Sequence, residues 1–125
     1  MRVLEHACGL CRRGGLVLDL TTVPPAAAIE VGGTVLGRLD QTTFLRGAAL
    51  TEVAVDAAVA AGALVEEQSV RHDVLKHYDS GAAAIADVDA RPRTHLPDAL
   101  CEALVGVSGP VVERAGCLLR RLRIE

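Results

Sequence analysis

The chain has 125 residues and a formal net charge of −3, and half of its residues are apolar. This length is typical of one domain, so a single core is expected over residues 1–125. Phe44 and Tyr78 are the only aromatic residues, and the charge is weakly acidic. A nucleic-acid-binding protein needs a basic face and usually aromatic stacking platforms, so we expect no nucleic-acid partner.

No apolar stretch reaches the roughly 20 residues that a membrane-spanning helix needs. Charged residues near the N-terminus, among them Glu5, Arg12 and Asp19, interrupt any signal-peptide core. These features predict a cytoplasmic protein with no membrane partner. In that reducing compartment the cysteines are expected to be thiols or ligands rather than disulfides.

The N-terminal half is predicted to contain strands, a tight turn and one helix. In chain order these are a strand at 16–20, strands at 28–31 and 34–39 around a Gly32-Gly33 turn, and a helix at 50–61. Pro24-Pro25 ends the first strand, because proline cannot donate a hydrogen bond to a sheet. Thr51 is expected to cap the helix, and Gly62 is expected to end it in the left-handed conformation.

The C-terminal half is predicted to contain a hairpin followed by a helix. In chain order these are strands at 63–66 and 70–78, a turn at 79–81, a returning strand at 82–90, a helix at 97–105, a helical turn at 110–115, and an edge strand or helix end at 118–124. Together the elements indicate an α+β fold. We expect a mixed, mostly antiparallel sheet with two or three helices packed on it.

Cys8 and Cys11, with His6 just before them, form the most conspicuous motif. A Cys-X-X-Cys segment brings two thiolates to one side, which suits zinc or a redox dithiol. Cys101 and Cys117 lie sixteen positions apart and do not supply a matching second pair. A thiol or zinc protein is therefore one hypothesis, two thiols without a function are the alternative, and no metal site is predicted.

Arginines cluster at the predicted hairpin and near the C-terminus. Arg71 begins the hairpin strand, Arg91 and Arg93 follow it, and the arginines that close the chain are Arg114, Arg120, Arg121 and Arg123. The planar guanidinium matches carboxylates in a bidentate manner, so arginines that converge on a cavity would bind a small dianionic ligand. The alternative is that these arginines are exposed and pair with the more numerous Asp and Glu residues.

The segment 71–110 combines an arginine-led strand, a short turn, a returning strand and a helix. The pattern is carried by RHDVLKHYDSGAAAIADVDA (71–90), LPDALCEAL (96–104) and Gly109-Pro110. This order is similar to that of the chorismate pyruvate-lyase family and its relatives, the ligand-binding UTRA domains of bacterial regulators. Upstream, FLRGAALTEV (44–53) resembles the strand that leads into the first helix of that family.

The resemblance implies release of pyruvate from chorismate, which leaves 4-hydroxybenzoate. It assigns Arg71 to a substrate carboxylate, with Arg120, Arg121 and Arg123 as helpers. The acidic catalytic residue of that family lies on a later strand, for which this sequence has no clear match. Glu125 is then the candidate acid, provided that the terminus folds back into the site. No metal or organic cofactor is implied.

Three functions therefore stay open, and whether the chain is an enzyme is undecided. They are a lyase acting on chorismate or a similar dianion, a non-catalytic module that binds a small acid or assists a partner enzyme, and a thiol or zinc protein. The missing acidic strand favours the second over the first. A homodimer is also expected if the segment 118–124 forms an exposed sheet edge.

Overall fold

The computed structural model describes residues 2–125, with the backbone alone at positions 2, 3, 5 and 7. In chain order the elements are α1 (Arg2–Leu10), β1 (Leu16–Thr22), β2 (Ala28–Val31), β3 (Thr34–Arg38), α2 (Thr42–Ala60), β4 (Leu64–Tyr78), α3 (Gly81–Asp89), α4 (Asp98–Val105) and β5 (Val111–Ile124). All five strands form one sheet, and every strand pair is antiparallel. This confirms the predicted α+β fold, with four helices where two or three were expected.

β5 is the central strand of the sheet. β4 pairs with it along one side, β1 and β2 share the other side, and β3 pairs with the outer side of β2. The expectation that residues 118–124 form an edge strand or a helix end is therefore wrong. Because both sides of this segment are hydrogen-bonded to β1 and β4, it cannot supply the exposed edge on which a homodimer was expected.

The buried side of β5 changes from one face of the sheet to the other along its length. Its pairing with β1 and β4 shows no shift on the β5 side, so its side chains alternate throughout. Val111 and Cys117 are buried on one face, whereas Leu122 and Ile124 are buried on the opposite face. We call the first the α4 face and the second the α2 face, after the helices that cover them.

Two hydrophobic clusters correspond to these two faces. On the α2 face, Val55 of α2 packs with Leu64, Leu122 and Ile124, and Leu4 of α1 lies against them. On the α4 face, α3 and α4 pack on the other end of the sheet, and the buried residues there are Ala27, Ile29, Leu39, Tyr78, Ala84, Val88, Leu100, Leu104 and Val111. Each fully buried leucine or isoleucine contributes about 1.5–3 kcal/mol, so each cluster stabilises one end of β5.

The returning strand predicted at 82–90 is wrong, because these residues form helix α3. The hydroxyl oxygen of Ser80 accepts a hydrogen bond from the backbone N–H of Ala83 (3.1 Å), so Ser80 caps the helix where a β-turn was expected. Gly81, Ala84 and Val88 are buried. These positions have the spacing of one helix face, and alanine favours the helix over the strand.

Three further predictions need correction. The strands expected at 63–66 and 70–78 form one strand, β4, with an irregularity between Glu66 and Gln68. The helical turn expected at 110–115 is the beginning of β5, and α2 begins at Thr42 rather than near residue 50.

The hairpin turn at Gly32-Gly33 and the left-handed stop at Gly62 are confirmed, since all three glycines have positive φ. Among the described helices, none combines the length and hydropathy that crossing a bilayer requires.

Substitution of Gly81 tests the packing of α3 on α4. A Cβ at Gly81 would overlap the carbonyl oxygen of Leu104, whereas Gly106 has open space around it. We expect Gly81→Ala to lower the free energy of unfolding by about 3 kcal/mol, and Gly106→Ala to change it by less than about 0.5 kcal/mol. Urea unfolding followed by circular dichroism measures both. Equal effects of the two substitutions would contradict this packing.

Candidate functional site

The arginines predicted to bind an anion lie on opposite faces of the sheet. Arg71 pairs with Leu118 and shares the α2 face with Arg120, whereas Arg121 and Arg123 lie on the α4 face. Successive side chains of a strand point to opposite sides, so Arg120 and Arg121 cannot line the same cavity. The structure therefore does not bring the predicted set together.

Arg71 is bound to the backbone of a neighbouring loop. Its guanidinium donates from Nη2 to the carbonyl oxygen of Pro24 at 2.6 Å. The side chain is exposed, and this contact connects β4 to the loop that follows β1. Its role as a carboxylate anchor stays a prediction.

Arg120 is surrounded by carboxylates. Its guanidinium lies 2.8 Å from Glu52, 2.8 Å from Asp56 and 3.0 Å from Glu66, and its side chain is only 6% exposed. Burial alone would lower the pKa of Arg120, but hydrogen bonds to these carboxylates outweigh burial and raise the pKa. Because its donors are already used, Arg120 joins α2 to the sheet and is not available to an anionic ligand.

Arg121, Arg123 and Glu125 form an ion-pair group at the end of β5. Glu67 forms ion pairs with both arginines, at 3.2 Å from Arg121 and 3.4 Å from Arg123, and Glu125 lies 3.0 Å from Arg123. Arg71 lies opposite Leu118, five positions along β5 from Arg123, which corresponds to about 16 Å. The structure therefore does not bring Glu125 close to Arg71. The distance exceeds the length of a small dicarboxylate, so one such ligand could not contact both residues.

Cys8 and Cys11 are both half-buried and pack against the cluster on the α2 face. Cys8 lies in α1, and the backbone N–H of Cys11 donates to the carbonyl oxygen of Cys8 at 3.4 Å. Among the side chains that the structure describes, no three His, Cys, Asp or Glu residues are grouped as metal ligands would be. A thiol or zinc function of these cysteines stays a prediction, whereas their contribution to the core is observed.

A cleft of about 310 Å³ opens between β1 and α2. Its lining combines the C-terminal end of β1 (19–22), one side of α2 (Phe44, Gly47, Ala48 and Thr51), and Arg93 from the segment between α3 and α4. Arg93 lies close to α2 at this point, since a Cβ at Gly47 would be in ordinary contact with Arg93 Nη1, at 3.7 Å. Sites for small molecules occupy about 300–1,000 Å³, so this cleft suits a small metabolite.

Two carboxyl groups meet beside this cleft, on Asp19 of β1 and Glu52 of α2. Burial, followed by the hydrogen bond to Glu52 and its charge, raises the pKa of Asp19 to about 6. Burial would also raise the pKa of Glu52, but hydrogen bonds from Asp19, Thr21 and Arg120 outweigh burial and lower it. Thr21 donates to Glu52 at 2.6 Å. Below about pH 6 the pair therefore carries one negative charge, with the proton on Asp19.

Arg93 supplies positive charge to the same cleft. Its guanidinium carbon lies 5.8 Å from the ring centroid of Phe44, a cation–π distance. Considering only the residues that the structure describes, Arg93 forms no ion pair, in contrast to Arg91, Arg114, Arg120, Arg121 and Arg123. The aromatic ring therefore positions a guanidinium whose donors remain open to a carboxylate.

The sequence did not single out Asp19 and Glu52 as functional residues, and it placed Arg93 only within the larger set of clustered arginines. They come from three separate segments, and only the packing of α2 on β1 places two of them side by side. One signal was present in the sequence. Asp19 alternates with leucines in a strand, and a carboxylate on the buried side of a strand requires a partner.

A second charged cluster connects α3 to the sheet on the α4 face. Arg91 lies 2.7 Å from Glu113 and 2.7 Å from Asp87, and the hydroxyl of Tyr78 donates to Asp87 at 2.5 Å. Hydrogen bonds from Lys76, Tyr78 and Arg91 lower the pKa of Asp87, and burial raises the pKa of Tyr78. In the described part of the chain every buried side-chain polar atom has a partner. This cluster is closed and offers no group to a ligand.

Comparison with known proteins gave no match: no family model, no curated protein and no solved structure is significantly similar to this chain.

Arg120 and Arg121 offer a matched pair of substitutions. Arg120→Met removes the cation from between three carboxylates, so we expect a loss of about 3 kcal/mol in the free energy of unfolding. Arg121 is 50% exposed on the opposite face, so Arg121→Met is expected to cost less than about 0.5 kcal/mol. Urea unfolding at neutral pH measures the two values, and a larger loss for Arg121→Met would refute the structural role of Arg120.

Proposed function

We propose that this chain is a binding module for a small carboxylic acid, and that the acid occupies the cleft between β1 and α2. Arg93 is the observation that carries the proposal. It is a guanidinium held over an aromatic ring at a cleft of suitable size, and its donors are not used by any described carboxylate. The proposal corresponds to the non-catalytic alternative from the sequence, with a different set of residues.

The lining of the cleft supports a ligand with a carboxylate and a compact apolar body. Arg93 would bind the carboxylate in a bidentate manner, as guanidinium groups commonly do. Phe44 and Ala48 supply apolar contacts to the rest of the ligand, and Thr51 supplies a hydroxyl. The small volume disfavours polymers and large cofactors.

Asp19 makes anion binding dependent on pH. Its pKa is raised to about 6, so the side chain is neutral below this pH and negative above it. A neutral Asp19 does not repel an anion. A negative Asp19 repels the anion, so affinity is expected to fall as the pH rises through about 6.

Titration calorimetry with aromatic and aliphatic monocarboxylates tests this proposal. We expect binding at about pH 5 that weakens by about tenfold or more at about pH 8. Arg93→Gln is expected to weaken binding at the lower pH by about tenfold or more, because a charge-assisted hydrogen bond is lost. Asp19→Asn is expected to keep the affinity and remove most of the pH dependence.

Arg46→Gln is the matched control for Arg93→Gln. Arg46 is also exposed and lies in α2, but it does not line the cleft. Its substitution is expected to leave the affinity unchanged. Absence of heat and of thermal stabilisation with every acid at about pH 5, or equal losses in the two variants, would refute the assignment of the cleft.

The chorismate lyase hypothesis has one specific support in the same cleft. Cleavage of an enolpyruvyl ether needs an acid near the leaving oxygen, and Asp19 is a carboxyl group whose pKa is raised to about 6. Pyruvate release from chorismate, coupled to lactate dehydrogenase, is the assay. Release that is lost in Asp19→Asn would support an enzyme with Asp19 in the role predicted for Glu125. No release above background at micromolar protein would reject the lyase hypothesis and leave the binding proposal intact.

A further inference from the structure

β1 has an unpaired side. Within the described part of the chain it pairs with β5 alone. The N–H of Val23 donates to the carbonyl oxygen of Gly116 (2.9 Å), in register with the ladder between β1 and β5. In an antiparallel pair the backbone groups of every second residue point to the same neighbouring strand. The odd-numbered residues of β1, like Val23, therefore bond to β5. The even-numbered residues Leu16, Leu18 and Leu20 direct their N–H and C=O groups to the open side.

The side chains of the same three leucines are exposed. Leu16 is 46% exposed, Leu18 is 67% exposed and Leu20 is 59% exposed, all on the α4 face. They are uncovered because α3 and α4 pack at the other end of this face. Leu119 of β5 and Val70 of β4 continue the apolar surface. With Leu18 they line a groove of about 220 Å³, whose remaining lining residues are Gln68 and Arg121. We call Leu16, Leu18, Leu20, Val70 and Leu119 the leucine surface.

β4, at the other side of the sheet, differs from β1 in its charge and in the regularity of its pairing. Its residues 66–77 are all exposed and include Glu66, Glu67, Arg71, Asp73 and Lys76, and its pairing is interrupted after Glu66. Charges and bulges are the usual means by which an edge strand avoids pairing with another chain. The exposed side chains of β1 carry no charge between Leu16 and Thr22, and its ladder is regular.

We propose that β1 pairs antiparallel with β1 of a second copy of this chain, across a twofold axis at Leu18. A β-strand is the occupant that pairs with the open backbone groups, and apolar side chains on that strand would pack against the leucines. β1 of a second copy has both properties. Its Leu-X-Leu-X-Leu pattern places leucines opposite leucines when two copies run antiparallel. With Leu18 on the axis, Leu16 lies opposite Leu20 of the second copy, and these leucine pairs join residues whose backbone groups point to the open side.

Pairing of this kind makes one continuous sheet from two copies. Its central strands follow the order β4-β5-β1-β1-β5-β4, and the two leucine surfaces join on one face. The hairpin of β2 and β3 lies on the same side of β5 as β1, so it bounds the new pair at one end. Leu20 and Thr22 also line the acid-binding cleft, so the second copy would lie beside that cleft. The proposal does not depend on a ligand in it.

Oligomeric state in solution tests the proposal. By sedimentation velocity over roughly 1–100 µM, the unmodified chain is expected to be a dimer. Leu18→Lys places two like charges opposite each other on the axis and is expected to raise the dimer dissociation constant by about 100-fold or more. Leu50→Lys is the matched control, because Leu50 is also 67% exposed but lies on α2. Its dissociation constant is expected to stay unchanged.

A second variant separates backbone pairing from apolar contact. Leu18→Pro removes one N–H that points to the open side, a position at which an edge strand tolerates proline. It is expected to be monomeric with an unchanged circular dichroism spectrum. A monomeric unmodified chain at about 100 µM, or a dimer that persists in Leu18→Lys, overturns the proposal. Equal loss of dimer in Leu18→Lys and Leu50→Lys also overturns it, because association would then be non-specific.

Discussion

The structure depends on an unbroken alternation of side chains along β5. This strand pairs with β1, β2 and β4, and its first half is buried on one face while its second half is buried on the other. The helices must lie on the buried faces of β5, because an apolar strand face is stable only when another element covers it. Thus α3 and α4 cover one end of one face, and α1 and α2 cover the opposite end of the other.

The same alternation leaves two regions of the sheet uncovered, and their chemistry differs. On the α2 face the open end carries Arg114, which pairs with Glu30 at 2.7 Å and with Asp73 at 3.1 Å. Charged residues that pair with each other are compatible with water. On the α4 face the open end carries the leucine surface beside Arg121 and Arg123, and the leucines of β1 are exposed to water there. The exposed leucines of β1 on the α4 face therefore point to a partner at this region.

The cleft between β1 and α2 obtains its electrostatic character from residues behind it. Arg120 attracts Glu52 and holds its charge, so the neighbouring Asp19 takes up the proton that two adjacent carboxyl groups share. Arg93, by contrast, is held by the ring of Phe44 and not by a carboxylate. The arrangement separates a structural arginine inside the fold from an available arginine at its surface, and only the second suits a ligand.

Local chemistry in the sequence determined the α+β class, the hairpin at Gly32-Gly33, the end of α2 at Gly62 and the helix after Pro97, because glycine, proline and apolar period act over a few residues. The sequence could not distinguish α3 from a returning strand, since an alanine-rich segment after a turn suits both until Ser80 caps it and α4 packs on it. Tertiary structure alone decided the functional residues. The position of each arginine on one face or the other follows from the register of β4 on β5, so Arg120 became internal while Arg93, from another segment, became available. Register and helix placement depend on contacts between residues distant in the chain, and no local pattern records them.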